Sequence, residues 1–145
     1  MLEIRGLKDS DRKEWGVLWK GYLDYYETEL PSEMYDIAFN RMLAGNEHEF
    51  HGLVAEKDGE LIGLVHYLFH RHGWKVEPVV YLQDLYVSNA ARGTGAGRAL
   101  IEAVYEAADA AGCPTVYWLT QDFNETARKL YDRVATQTPF IKYQR

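Results

Sequence analysis

Residues 81–100, YLQDLYVSNAARGTGAGRAL, limit what this chain can fold into more than any other stretch. They read as a strand over Val79–Val87, a short polar turn, three alternating glycines and then a helix. Placed between a strand end and a helix start, Gly93, Gly95 and Gly97 leave backbone N–H groups uncovered by side chains. The helix dipole adds partial positive charge at the same spot, so an anion such as a pyrophosphate can settle there. Arg92 and Arg98 flank the turn with charges suited to phosphate oxygens. Two familiar phosphate motifs do not fit. The dinucleotide fingerprint needs G-x-G-x-x-G, and here G-x-G-x-G is followed by Arg98; a P-loop needs a Gly-Lys-Ser/Thr tripeptide, and none occurs. The plainer alternative is a strand–turn–helix that uses its glycines only for close packing.

At 145 residues the chain is expected to be one domain spanning 1–145, large enough to bury a core. Aromatics at 14% and hydrophobics at 47% exclude a disordered tail. A net charge of −6 argues against general nucleic-acid affinity, which needs a basic face. The one cysteine, Cys113, excludes a disulfide within a single chain and suits a reducing cytosol, so a cytoplasmic protein is expected. No apolar run of signal-peptide or transmembrane length is present, which argues against a membrane partner.

Local patterns supply the rest of the frame. Residues 2–7 form a first strand. Asp11 and Glu14 resemble a capping box, ahead of Trp15, Leu18, Trp19, Tyr22, Leu23 and Tyr26 at helical spacing. This stripe is core in its simplest reading, while its far end at Tyr22 and Tyr26 can equally line a pocket. Pro31 and Ser32 open a second helix with Met34, Ile37, Ala38 and Met42 on one face, and Gly45 ends it. The acids between Asp24 and Glu49 form either a solvated surface or an electronegative lip that attracts an amine. Residues 51–56 and 61–70 are apolar runs joined by a turn with the Asp58-Gly59 hairpin signal. His70 and His72 stand at a loop edge without a Cys or carboxylate cluster, so no metal site is assigned. Gln83 and Asp84 interrupt an otherwise apolar strand, and since neighbours alternate faces one of them can point into a cleft. The third helix carries Leu100, Ala103, Val104, Ala107, Ala108 and Ala111 as a stripe, ended by Gly112 and Pro114. Residues 115–120 are a fifth strand, Asn124 caps a fourth helix with Ala127, Leu130, Tyr131 and Val134 on one side, and residues 140–143 are a short closing strand. The order gives a mixed α/β layer.

The run Arg92-x-x-Gly95-x-Gly97 resembles the acetyl-CoA loop of the GNAT superfamily of N-acetyltransferases. The likeness extends from about Val79 to the C-terminus. YLQDLYV and NETARKLY are similar to segments of the branch containing polyamine acetyltransferases and the yeast histone and D-amino-acid acetyltransferases. The resemblance implies a central, mostly antiparallel sheet with splayed middle strands and helices on both faces. It implies acetyl-CoA as cofactor, its diphosphate on Arg92, Gly93, Thr94, Gly95, Ala96, Gly97 and Arg98. The pantetheine arm would enter between residues 85–87 and 115–120, held by Leu85, Tyr86 and Val87, with Asn124 and Ala127 beside it. Tyr131, on the same helix face as Asn124 and Ala127, would be the general acid toward the thiolate. Tyr22, Tyr26 and Gln83 would line the acceptor site.

Two departures from the family pattern matter. Polyamine-type relatives tend to carry Glu-Asp where this chain has Gln83-Asp84, so the base is Asp84, a water relay, or unnecessary because the amine arrives neutral. Relatives usually continue past the tyrosine to Gly-Phe, whereas this chain has Val134-Ala135-Thr136. The resemblance implies an enzyme acetylating a primary amine of a small molecule, such as a polyamine or amino acid, in a ternary complex, and a homodimer. A lysine acetyltransferase acting on proteins and a non-catalytic acyl-CoA sensor share the same cofactor residues.

Overall fold

The computed structural model describes residues 1–145. A five-stranded sheet runs in chain order through β1 (Leu2–Gly6), β2 (His51–Lys57), β3 (Glu60–His70), β4 (Val79–Val87) and β5 (Val116–Tyr117). Every neighbouring pair is antiparallel except the last, which is parallel. Helices α1 (Arg12–Tyr25) and α2 (Ser32–Ala44) cover one face, and α3 (Ala96–Ala110) covers the other, with α4 (Glu125–Val134) packed beside α3. The expected mixed architecture, with helices on both faces of a mostly antiparallel sheet, is what forms.

Burial explains each layer. On the α1 face Trp15, Leu18, Trp19, Phe39 and Met42 pack on Val54 and Leu64. On the other face Leu100, Ile101, Val104 and Ala108 pack on Ala55, Val65, Val80 and Leu82. Burying each such aliphatic side chain contributes about 1.5–3 kcal/mol, which fixes the register of the sheet between the two helix layers. The hairpin signal is realised directly. Asp58 (φ 51°) and Gly59 (φ 82°) are both left-handed and join β2 to β3.

Several sequence expectations are corrected. The fifth strand is Val116–Tyr117, not 115–120, and residues 138–145 carry no closing strand. Asp11 and Glu14 do not form a capping box. The Arg5 guanidinium donates to both Asp11 oxygens at 2.8 and 2.9 Å, and Glu14 accepts from the Leu61 N–H at 3.2 Å. Both carboxylates thus tie the start of α1 to strands, Asp11 to nearby β1 and Glu14 to β3, 47 positions away. In α2 Phe39 takes the core position and Ile37 is exposed. In α3 Ile101 is fully buried while Ala111 lies outside the helix. The larger side chains turn each helix toward the volume the sheet leaves open.

β4 contains the irregularity that positions the site. His66 pairs with Asp84 and Tyr67 with Leu82, so Gln83 has no partner on β3. This is a β-bulge, and it changes which face follows. Without it Leu82 and Asp84 would share a face. With it, Leu82 stays on the α3 side and Asp84 turns to Trp19 on the α1 side. A bulge also bends its strand, and the β4–β5 ladder accordingly stops at Val80–Val116 and Tyr81–Tyr117. Beyond Tyr81 the outer edge of β4 is free.

Candidate active site

The glycine turn has the geometry of an anion cradle. After Arg92, Gly93 (φ 83°) and Gly95 (φ 82°) are left-handed, which only glycine adopts without strain, and α3 begins at Ala96. The N–H groups of Gly93, Thr94, Gly95, Gly97 and Arg98 make no hydrogen bond within the chain. Thr94 Oγ1 donates to the Ala91 carbonyl at 2.7 Å and accepts from the Ala96 N–H at 3.4 Å, fixing the turn from inside. Gly97 has no such requirement, since a Cβ there would stand at ordinary contact distances, 3.5 Å from Leu130 and 3.7 Å from Val87.

The flanking arginines differ. Arg92 is exposed and forms no ion pair, whereas Arg98 Nε donates to Glu102 at 2.8 Å. A shallow depression of about 360 Å³ beside Gly95 and Arg98 lies outside α3, but Glu102 and Glu106 line it, so its charge is wrong for a phosphate.

The gap expected beside residues 85–87 corresponds to a stretch of β4 edge that no strand pairs. Ser88 N–H donates back to Ile62 on β3, so by alternation the N–H groups of Leu85 and Val87 point to the free edge of β4. Tyr86 is different. Its carbonyl lies against Gly63 of β3, and its hydroxyl enters a notch in α1 where a Cβ on Gly21 would come within 2.5 Å of it. At the closed end of the gap the Tyr81 and Tyr117 rings stack 4.9 Å apart, and Tyr117 Oη donates to His70 Nε2 at 2.8 Å.

Asn124, Ala127 and Tyr131 share the half-buried face of α4. Asn124 Oδ1 caps the helix by accepting from the Ala127 N–H at 3.4 Å, leaving its amide N–H₂ without a partner in the chain. Tyr131 packs edge-on against Trp118 with ring centroids 5.4 Å apart. Burial first, then the neighbouring Tyr26 and Tyr25, pushes its hydroxyl up to about 12, so it is a proton donor at neutral pH. That hydroxyl makes no hydrogen bond in the chain, and since no buried side-chain polar atom is unpartnered, it reaches solvent.

Asp84 is buried at 7% exposure. Its Oδ2 accepts from Trp19 Nε1 at 3.4 Å and lies 2.8 Å from His66 Nδ1. Its Oδ1 has no hydrogen bond, and by the same reasoning reaches solvent. Tyr22 stands beside it; burial, and then the Asp84 charge, raise that phenol well above its ordinary range. Tyr26 is raised by burial, then Tyr25, then Asp84, and its own charge in turn raises Tyr131, so it stands near both. Gln83, the bulged residue, is exposed. Sequence reasoning missed His66. Its signal was a single imidazole inside the apolar run LIGLVHYLF, where a buried polar group must have a partner.

A strand edge freed beside a turn of unpaired N–H groups, with a carboxylate and a phenol nearby, can receive an extended ligand that carries a phosphate at one end. The chain matches the acetyltransferase (GNAT) family over residues 15–135 and belongs to it; it is an N-acetyltransferase with acetyl-CoA as donor. It is 39% identical to the D-amino-acid N-acetyltransferase HPA3 of Saccharomyces cerevisiae over 143 residues, covering 98% of this chain and 89% of that one. It is 34% identical to the thialysine N-epsilon-acetyltransferase of Bos taurus over 96 residues, covering 61% and 56%. The structure of AAC(6')-Iy in complex with a bisubstrate analogue superposes with a TM-score of 0.86 at 21% identity, over 100% of this chain and 97% of that one. That likeness shows the fold.

Proposed function

We propose that this enzyme acetylates a primary amine of a small molecule by direct attack in a ternary complex, with Asp84 as base and Tyr131 as acid. The observation that carries the reading is the pair of solvent-reaching oxygens, Asp84 Oδ1 on β4 and Tyr131 Oη on α4, both near Tyr26, with the edge of β4 beyond Tyr81 unpaired. The unpaired N–H groups from Gly93 to Arg98, with Arg92, hold the diphosphate. The Leu85 and Val87 N–H groups and the Asn124 amide hold the pantetheine arm. Tyr22, Tyr26 and Gln83 border the acceptor.

The chemistry is balanced by these groups. The amine nitrogen forms a bond to the thioester carbon while its proton passes to Asp84 Oδ1. The C–S bond breaks, its electron pair leaves on sulfur, and the Tyr131 hydroxyl donates to that sulfur.

A cytoplasmic location is supported by the single, buried Cys113. A homodimer is supported by the exposure of Phe140, Ile141 and Tyr143 at 83%, 74% and 89%, apolar surface that a second copy would cover. The named substrates of the yeast and bovine relatives support a small amine over a protein side chain.

The test is a thiol-release assay with acetyl-CoA against polyamines, D- and L-amino acids, aminoglycosides and lysine peptides. A free amine is expected to lead in kcat/KM. Peptides leading would assign a protein substrate instead, and no thiol release with any amine would make the chain a sensor.

A further inference from the structure

We infer that Trp15 and His66 are positioning residues that orient the Asp84 carboxylate with one oxygen presented to the acceptor, an inference that rests on Asp84 being the base proposed above. The indole N–H of Trp15 can only donate. It lies 3.0 Å from His66 Nε2, so Nε2 supplies a lone pair to it. The single proton of the ring then sits on Nδ1 and is donated to Asp84 Oδ2 across 2.8 Å. A second proton on Nε2 would set one N–H against another at a place where Trp15 is 0% and His66 4% exposed. The imidazole is therefore kept neutral.

This arrangement has a chemical consequence. A carboxylate paired with a cation is a weak base, because the positive charge stabilises its ionised form. Asp84 is instead held by two neutral N–H donors, both on Oδ2. They fix the plane of the carboxylate and leave Oδ1 charged and solvent-facing. His66 is the one basic residue that touches Asp84, and Trp15 withholds its second proton.

Among the surrounding groups the Tyr22 hydroxyl comes within hydrogen-bonding reach of the carboxylate, and none brings a positive charge. Tyr22 and Tyr26 from α1 and Tyr81 from β4 face the carboxylate, and all three phenols are raised, chiefly by burial. Tyr35 of α2 packs on the Trp15 and Trp19 rings. On β2 the residue opposite His66 is Gly52, which brings no charge.

The experiment combines a spectroscopic readout with turnover. In the full-length protein labelled at histidine nitrogens, long-range ¹H–¹⁵N spectra are expected to show His66 with Nδ1 protonated and Nε2 bare at neutral pH. In Trp15→Phe, which removes the donor to Nε2, the other tautomer should appear in the same spectra and kcat should fall with KM for acetyl-CoA unchanged. His66→Leu should lower kcat by about 10²-fold with KM for acetyl-CoA unchanged, while His66→Asn, whose amide N–H replaces Nδ1–H, should recover to within about tenfold of wild type. An Nε2-protonated or doubly protonated His66 at neutral pH overturns the inference. So does a folded His66→Leu enzyme with wild-type kcat when chemistry limits the rate. If His66→Leu does not fold, the tautomer and the Trp15→Phe spectra and kcat decide. Asp84→Asn separates the two levels: full kcat there overturns the base assignment and the inference with it. An inactive Asp84→Asn beside a wrong His66 tautomer overturns the positioning role alone.

Discussion

Replacing Tyr131 by Phe removes one oxygen and leaves the ring against Trp118. The hydroxyl makes no hydrogen bond in the chain, so its loss strands no partner, and the melting temperature should change little. Its effect on rate follows from its acidity. With burial pushing the phenol up to about 12, the proton stays on oxygen at working pH, and full transfer to a thiolate of ordinary pKa, about 8.5, is uphill. The hydroxyl therefore acts as a hydrogen-bond donor to sulfur as charge develops there, before the proton has moved. A hydrogen bond to a charged group is worth about 2–3 kcal/mol, or about 30- to 150-fold in kcat. The assay is thiol release at saturating acetyl-CoA and amine, with single-turnover measurements to confirm that chemistry limits. Because a raised pKa keeps the donor protonated as pH rises toward about 12, the ratio of wild-type to variant kcat should stay flat between about pH 7 and about pH 10. An unchanged kcat, or a loss confined to KM for acetyl-CoA, would refute the assignment.

Further outcomes follow from the same geometry. Gly95→Ala meets no atom within 4 Å, so its cost is the left-handed backbone at φ 82°, about 1–2 kcal/mol; it should raise KM for acetyl-CoA several-fold while Ala at Gly59 leaves KM untouched. Arg92→Ala should raise the same KM, and by less as salt is added, since its exposed charge is screened. Asp11→Asn breaks a buried bidentate pair with Arg5 and should lower unfolding free energy by about 3 kcal/mol in urea at neutral pH. The Arg5 hydrogen bonds hold the Asp11 carboxyl below its ordinary 3.8, so its contribution is full above that value and is lost as pH falls through the lower, folded one. The gap between wild type and Asp11→Asn should therefore narrow in acid.

The exposed tail and the short β5 show where local reading fails. Residues 115–120 have strand composition, yet pairing needs a regular neighbour, and the Gln83 bulge bends β4 away after Tyr81. Residues 140–143 have strand composition too, and within one chain no edge receives them. The α1 stripe was legible as core, but not that its two indole N–H groups select His66 and Asp84, residues 51 and 65 positions away. Gly21, unremarkable in sequence, is the notch that admits Tyr86.

Sequence by itself determined what short-range chemistry controls: the left-handed glycines at 93 and 95, the Asp58-Gly59 hairpin, the Asn124 cap, and the half-buried face that carries Tyr131. Each depends on dihedral preference or on spacing along one element, so neighbours in the chain suffice to specify it. Which way Asp84 points, which nitrogen of His66 carries the proton, and where β4 parts from β5 were decided only when distant elements packed. Those outcomes are contests between burial and hydrogen-bond satisfaction, and the competing groups meet only in the folded chain.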